Sequence, residues 1–127
     1  MAEKCTPEQL PNLVAKYMRE YRSQAEKVVR KDVLAVSREA QSKLQASSPR
    51  RTGRYAGSWA RRIESSRLGT TKTTLYSKVP GLPHLLEFGH ALRGGGRARA
   101  NPHIAPVESW ANAETEKKLR QDLQKIH

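Results

Sequence analysis

The sequence predicts an α+β fold, in which a long N-terminal helix precedes a small antiparallel sheet of two to four strands, a basic glycine-rich loop and a C-terminal helix. Apolar residues recur at helical spacing up to residue 45 and again from residue 104 onward. Between these stretches, residues 71–79 are rich in threonine, leucine, tyrosine and valine, which is typical of a strand. We therefore expect one domain, 1–127, divided into a helical arm (1–46), sheet and loops (47–101) and a closing helix (102–127).

The predicted N-terminal helix has Thr6 as its cap and Pro7 in its first turn, or restarts at Pro11. It runs to Gln45 and ends before Pro49, because proline disfavours helical geometry in the residue before it. The pattern allows one helix of roughly 50 Å, or two helices with a bend near Asp32. The rest of the chain is too short to cover such a helix, so we expect part of its apolar stripe to face another subunit. The stripe comprises Val14, Met18, Tyr21, Ala25, Val28 or Val29, Val33, Val36, Ala40 and Leu44.

A β-hairpin is predicted after this helix. Residues 57–64 form its first strand, residues 65–70 its loop and residues 71–79 its return strand. Because side chains alternate between the faces of a strand, one face of the first strand should carry Trp59, Arg61 and Ile63.

Two short segments separate the hairpin from the last helix. Residues 84–88 form an apolar run, which predicts either a third strand or one helical turn. Residues 91–101 contain three consecutive glycines between arginines and have no apolar face, so they predict a mobile loop. Asn101 and Pro102 then indicate the cap of the closing helix.

The charge of the chain is concentrated in its centre. Twenty-four basic residues stand against twelve acidic ones, for a net charge of +12. Residues 46–106 hold eleven basic and two acidic groups, and therefore +9 of that total. Charges clustered in this way act together on a partner. The N-terminus has no apolar signal segment, and no run approaches the roughly 18 apolar residues of a membrane span, so we expect a protein made in the cytoplasm without a membrane partner.

Residues that could support catalysis are few. Cys5 is the single cysteine, which excludes an internal disulfide and a multi-cysteine zinc site. No serine lies in a GxSxG turn, and the glycines match neither a phosphate loop nor a dinucleotide fingerprint. A metal could be held by His84, Glu87, His90 and His103, but their spacing is not HExxH and Gly89 interrupts it. We therefore predict no enzyme activity, no cofactor and no metal site. A metal-dependent enzyme built on these four residues remains as a less favoured alternative.

Arginines form two groups in the basic centre. We expect them to face either a DNA channel or an acidic neighbouring protein, because arginines on loops reach phosphates without reading sequence. Tyr55 and Trp59 lie among the first group and could stack on bases or belong to the core. The first group is Arg50, Arg51, Arg54, Arg61 and Arg62, and the second is Arg93, Arg97 and Arg99.

Three landmarks follow one another along the chain. They are SPRRTGRYAGSW at residues 48–59, LLEFGHALRGGG at residues 85–96 and NPHIAPVE at residues 101–108. In this order they resemble the siphophage neck or minor tail-component family, the gene-product-ten-like proteins of tailed phages. The resemblance covers residues 35–126. The residues that match its pattern or border it are Thr52, Gly53, Glu87, Phe88, Gly89, His90, Pro102 and Pro106.

The resemblance implies a structural virion protein that joins head to tail or completes the tail. Copies would form a homo-oligomeric ring, with six as the expected number, around the DNA channel of the neck. We expect them to contact one another through the long helix and the 81–90 segment. Its partners would be the connector or stopper, the tail terminator and, without sequence specificity, the genomic DNA. We expect Gly53 and Gly89 to adopt positive φ, Pro102 and Pro106 to direct the chain into the last helix, and Glu87 to pair with an arginine of its own or an adjacent subunit.

The runner-up interpretation is a small basic protein that binds nucleic acid without sequence preference. The net charge of +12 would serve such a protein equally well. The two interpretations differ in whether the chain assembles with its own copies or acts alone on nucleic acid.

Overall fold

The computed structural model describes residues 4–50 and 53–126, and it has the predicted α+β architecture. A long first helix and a C-terminal helix pack on a two-stranded antiparallel sheet, and a second pair of very short strands follows a small central helix. None of the described helices is long and apolar enough to cross a membrane. In chain order the elements are α1 (Leu10–Ser47), a 3-10 turn (Ala56–Ser58), β1 (Trp59–Ser65), β2 (Thr71–Ser77), α2 (Leu82–Phe88), β3 (His90–Ala91), β4 (Arg97–Ala98) and α3 (Ile104–Leu123).

Helix α1 is a single helix of 38 residues, roughly 57 Å long at 1.5 Å per residue. Of the two predicted arrangements, the structure has the unbroken one. The predicted cap at Thr6 is wrong, because the helix begins at Leu10 with Pro11 in its first turn. The backbone N–H of Thr6 instead donates to the side-chain oxygen of Gln9 at 3.1 Å. The predicted end is confirmed, since Ser48 takes an extended conformation (φ −67°, ψ 142°) before Pro49.

Helix α3 lies antiparallel to α1 and covers only its C-terminal half. Near the start of α3, the ring of Trp110 lies 4.6 Å from the Lys43 ammonium. Near its end, Asp122 reaches Asp32. The core between the helices and the sheet is small and consists of Ala40, Leu44, Tyr55, Trp59 and Val107.

The predicted hairpin is confirmed, with a register that pairs Trp59 with Ser77 and Ser65 with Thr71. The first strand begins two residues later than expected, because residues 56–58 form the 3-10 turn. The inner face of β1 packs on α1, where the guanidinium of Arg61 donates to the carbonyl of Leu34 at 3.2 Å. The third residue of the predicted face, Ile63, is exposed.

The segment between the hairpin and α3 has more regular secondary structure than expected. Residues 84–88 belong to α2 and are therefore helical, one of the two predicted alternatives. Strands β3 and β4 pair His90 with Ala98 and Ala91 with Arg97, so Ala91, Arg97 and Ala98 lie in strands and not in the predicted loop. The prediction that Asn101 and Pro102 cap the last helix is also wrong, because α3 begins at Ile104.

Candidate functional site

The three landmarks meet in the interior of the protein. Each contributes buried polar or aromatic side chains to one group, which we call the buried polar cluster: Ser48, Tyr55, Trp59, Glu87 and His103. All five are less than 8% exposed. Buried polar groups need hydrogen-bond partners, and the members of this cluster supply them to one another and to the backbone.

Glu87 caps helix α3 from a different element. Its Oε1 accepts hydrogen bonds from the backbone N–H groups of His103 at 2.7 Å and Ile104 at 2.8 Å. Its Oε2 accepts one from the N–H of Ala105 at 3.1 Å. A helix leaves its first four N–H groups without internal partners. The fourth position here is Pro106, which has no N–H. The Glu87 carboxylate therefore accepts from all three N–H groups at the start of α3, and the fourth position has no N–H to satisfy.

These bonds govern the ionisation of Glu87. Burial acts to raise its pKa, but the backbone N–H groups of Ile104, His103 and Ala105 donate to the charged form and outweigh burial. The pKa of Glu87 is therefore held below its ordinary value of 4.5. The three hydrogen bonds to the Glu87 carboxylate come from backbone N–H groups, and pairing with an arginine of its own or an adjacent subunit stays a prediction. The helix N-terminus supplies a compensating partial charge.

The ring of His103 is hydrogen-bonded on both sides. Its Nδ1 lies 2.7 Å from the carbonyl oxygen of Asn101, which can only accept, so Nδ1 carries the proton. Its Nε2 forms a hydrogen bond with the hydroxyl of Tyr55 at 2.7 Å. Burial and then the charge of Glu87 raise the pKa of Tyr55 to about 12, which keeps that hydroxyl protonated. Both ring nitrogens of His103 are thus occupied within the protein.

The aromatic residues of the first landmark belong to the core. The indole N–H of Trp59 donates to the hydroxyl of Ser48 at 2.8 Å, and that hydroxyl donates to the carbonyl of Leu44. The rings of Tyr55 and Trp59 meet edge to face at 5.8 Å between centroids. Because they are 7% and 6% exposed, these two rings offer no surface on which a base could stack.

The four side chains considered for a metal are not all brought together, although Nδ1 of His103 lies 3.4 Å from Oε1 of Glu87. Among residues 4–50 and 53–126, no group of three or more histidine, cysteine, aspartate and glutamate side chains is placed to bind one ion. Glu87 and His103 are committed to the cap and to the buried polar cluster. His84 instead packs its ring against that of Phe88, at 5.0 Å between centroids.

Two glycines of the landmarks have the predicted positive φ, Gly53 at 80° and Gly89 at 75°. Gly89 also has no room for a side chain. A Cβ atom there would lie 2.5 Å from the carbonyl oxygen of Ala98, on strand β4. The close approach of these two backbones requires glycine at this position.

The predicted basic residues differ in exposure. Arg61 is half-buried and donates to the hydroxyl of Ser37 as well as to the α1 backbone, so it is a structural residue. Arg62, on the other face of β1, is exposed and pairs with Glu64 at 3.1 Å. Arg51 and Thr52 lie outside the described residues. The remaining arginines are exposed: Arg50, Arg54, Arg93, Arg97 and Arg99.

Two groups of exposed apolar side chains lie outside the hairpin, which itself exposes Ile63, Leu68 and Tyr76. The first, which we call the arm stripe, is Leu10, Val14, Tyr17, Met18 and Tyr21 on the N-terminal part of α1. The second, which we call the α2 patch, is Leu85, Phe88 and Leu92. Helical periodicity predicted part of the arm stripe. The α2 patch was only partly anticipated, because the residues that an amphipathic turn exposes depend on where the core lies.

A buried carboxyl pair was missed by the sequence reasoning. Asp32 is 2% exposed in the seam between α1 and α3, and its Oδ2 has no hydrogen-bond partner among the described residues. Burial, and next its hydrogen bond with Asp122, raise the pKa of Asp32. The same hydrogen bond lowers the pKa of Asp122. The sequence does indicate that Asp32 is buried, because helical spacing places it in the same row as Val36, Ala40 and Leu44.

Comparison with known proteins shows no similarity to report: no protein-family model, no curated protein and no solved structure matches the chain.

Proposed function

We propose that this chain is a structural virion protein of the phage head–tail neck, which joins head to tail or completes the tail as a ring around the DNA channel. The supporting observation is that the three landmarks behind the family resemblance are the segments that build the buried polar cluster. Tyr55 of the first landmark bonds to His103 of the third, and Glu87 of the second caps α3. The residues that carry the resemblance thus depend on one another physically.

Exposed apolar surface also supports assembly. Met18 and Phe88 are 68% and 62% exposed. Contiguous apolar patches on a soluble protein usually mark interaction sites. In a ring, the exposed arginines of the two basic groups would face the DNA or an acidic neighbouring ring.

Labelling of virions tests this proposal. Antibodies against the protein should bind at the head–tail junction of intact particles, and mass spectrometry of purified virions should find the chain in a small whole number of copies, with six expected. Absence of the chain from purified particles would overturn the proposal. The other proposed neighbours, connector or stopper and tail terminator, should be recovered with it after cross-linking.

A second function is favoured by the charge alone. The centre of the chain carries +9, and its exposed arginines could bind nucleic acid directly. Filter binding against salt discriminates between the two. A monomeric protein that is absent from virions, and whose affinity for DNA falls steeply with salt, would be the small nucleic-acid-binding protein.

A further inference from the structure

The geometry points to a head-to-tail contact in which the arm stripe of one copy docks on the α2 patch of the next copy. This inference rests on the proposed function, of which it specifies the subunit interface. It follows from two exposed apolar surfaces of one chain that cannot reach each other within that chain.

The arm extends beyond the body of the protein. The hairpin loop touches α1 at Arg22, whose guanidinium lies 3.5 Å from the carbonyl of Leu68. Helix α3 reaches α1 at Asp32 and ends one residue after Asp122. The twelve residues Leu10–Tyr21 therefore project past these contacts by roughly 18 Å of helix. A helix end of this length has little stability of its own in water, so a partner that covers it adds stability.

The arm stripe occupies one face of the projecting helix. Its members follow steps of four, three, one and three residues, from Leu10 to Tyr21, so their side chains line up along the axis. The most exposed member is Met18, whose unbranched and polarisable side chain adapts to irregular surfaces. The opposite face of the same turns is polar, with Asn12 and Lys16.

The α2 patch lies at the other end of the molecule. Helix α2 is held there because Leu86 packs on the core that contains Leu44 and Trp59. Met18 and Leu44 are 26 residues apart on α1, which corresponds to roughly 40 Å. The two apolar surfaces therefore need a second molecule to meet.

The surface available suits a subunit contact. The exposed parts of the eight side chains sum to on the order of 800 Å² of apolar area, which with a polar rim reaches the lower end of specific interfaces at about 1,200 Å². A contact between two different patches is heterologous, and it closes into a ring when the rotation between copies allows. The proposed ring is such an assembly.

A second copy is favoured over nucleic acid because both surfaces are apolar at their centres. Every copy carries +12, so copies repel one another and only apolar burial can hold them together. Association should therefore strengthen as salt rises from about 0.1 M to 1 M, while the screening length falls from about 10 Å to 3 Å. Nucleic-acid binding responds in the opposite direction.

Mixing of two complementary variants tests the contact. Met18→Glu disables the arm but leaves the patch, and Phe88→Glu disables the patch but leaves the arm. Each alone should be monomeric by size-exclusion chromatography with light scattering at high salt, where the wild-type chain assembles. A one-to-one mixture should form a complex of twice the monomer mass and grow no further. Asn12→Glu, on the polar face of the arm, should assemble like the wild type.

The outcomes separate the interface from the proposed function. A wild-type chain that stays monomeric at high salt, a mixture that stays monomeric, or assemblies that dissolve as salt rises would overturn the contact. If the chain is nevertheless found at the neck of virions, the proposed function survives without it. If the mixture dimerises but virions lack the chain, the contact stands and the function is wrong.

Discussion

The carboxylate of Glu87 accepts a hydrogen bond at 2.8 Å from the backbone N–H of Ile104, the first residue of α3. A second bond, from the N–H of Asn101 to the carbonyl of Leu86 at 2.7 Å, runs beside it. Both bonds join α2 to the start of α3, so they close the base of the segment that carries β3, β4 and the glycines. Arg93, Arg97 and Arg99 therefore lie on a segment whose two ends are held together by hydrogen bonds.

Glu87→Gln should destabilise the protein by about 2–3 kcal/mol at pH 7, because hydrogen bonds to a charged acceptor are lost and an amide N–H₂ meets a backbone N–H. The lowered pKa of Glu87 means that its contribution is present above the ordinary value of 4.5 and is lost as pH falls through the folded-state pKa. Chemical denaturation from pH 7 to acid pH should thus show a shallower loss of stability in the variant than in the wild type.

The matched control for that variant is Glu108→Gln, on the exposed side of the first turns of α3. It should change the free energy of unfolding by less than about 0.5 kcal/mol. Equal effects at positions 87 and 108 would contradict the cap described here.

Helical and strand periodicity predicted α1, the hairpin and α3, because each buries one face and alternates at its own period. Periodicity could not predict that Glu87 caps a helix that begins 17 residues later, since the capping partner is set by the path of the intervening chain. It misplaced the cap at Asn101 for the same reason. Asp32 and Asp122 are 90 residues apart, and only the packing of α1 on α3 brings them together.

Gly89→Ala should cost about 2–4 kcal/mol, because the new methyl group meets the carbonyl of Ala98 and the backbone keeps positive φ. Gly95→Ala separates these two causes. Gly95 has φ of 99° but nothing within 4 Å of a built Cβ, so it should cost only about 1 kcal/mol. Thermal unfolding of both variants measures the difference, and equal losses would argue against a close approach of β4 at Gly89.

Tyr55→Phe should destabilise the protein by about 1–3 kcal/mol, because Nε2 of the buried His103 loses its hydrogen-bond partner. Tyr76→Phe provides the control, since that hydroxyl belongs to a side chain that is 42% exposed on β2. Urea unfolding should place the Tyr76 variant within about 0.5 kcal/mol of the wild type. A Tyr55 variant as stable as the wild type would show that the hydroxyl contributes nothing to the buried polar cluster.

Asp32→Asn should make the protein more stable at pH 8 and leave it nearly unchanged close to pH 4. Asp32 has a raised pKa, first through burial and then through Asp122, so its contribution is present below the ordinary value of 3.8 and is lost as pH rises through the folded-state pKa. Above that pH, two carboxylates face each other in the seam between α1 and α3, and the nearby ammonium groups of Lys31 and Lys118 offset only part of the cost. An asparagine amide donates to Asp122 at every pH. Melting temperatures of both proteins across this range measure the effect, and a variant that is less stable at pH 8 would show that Asp32 is a paired anion instead.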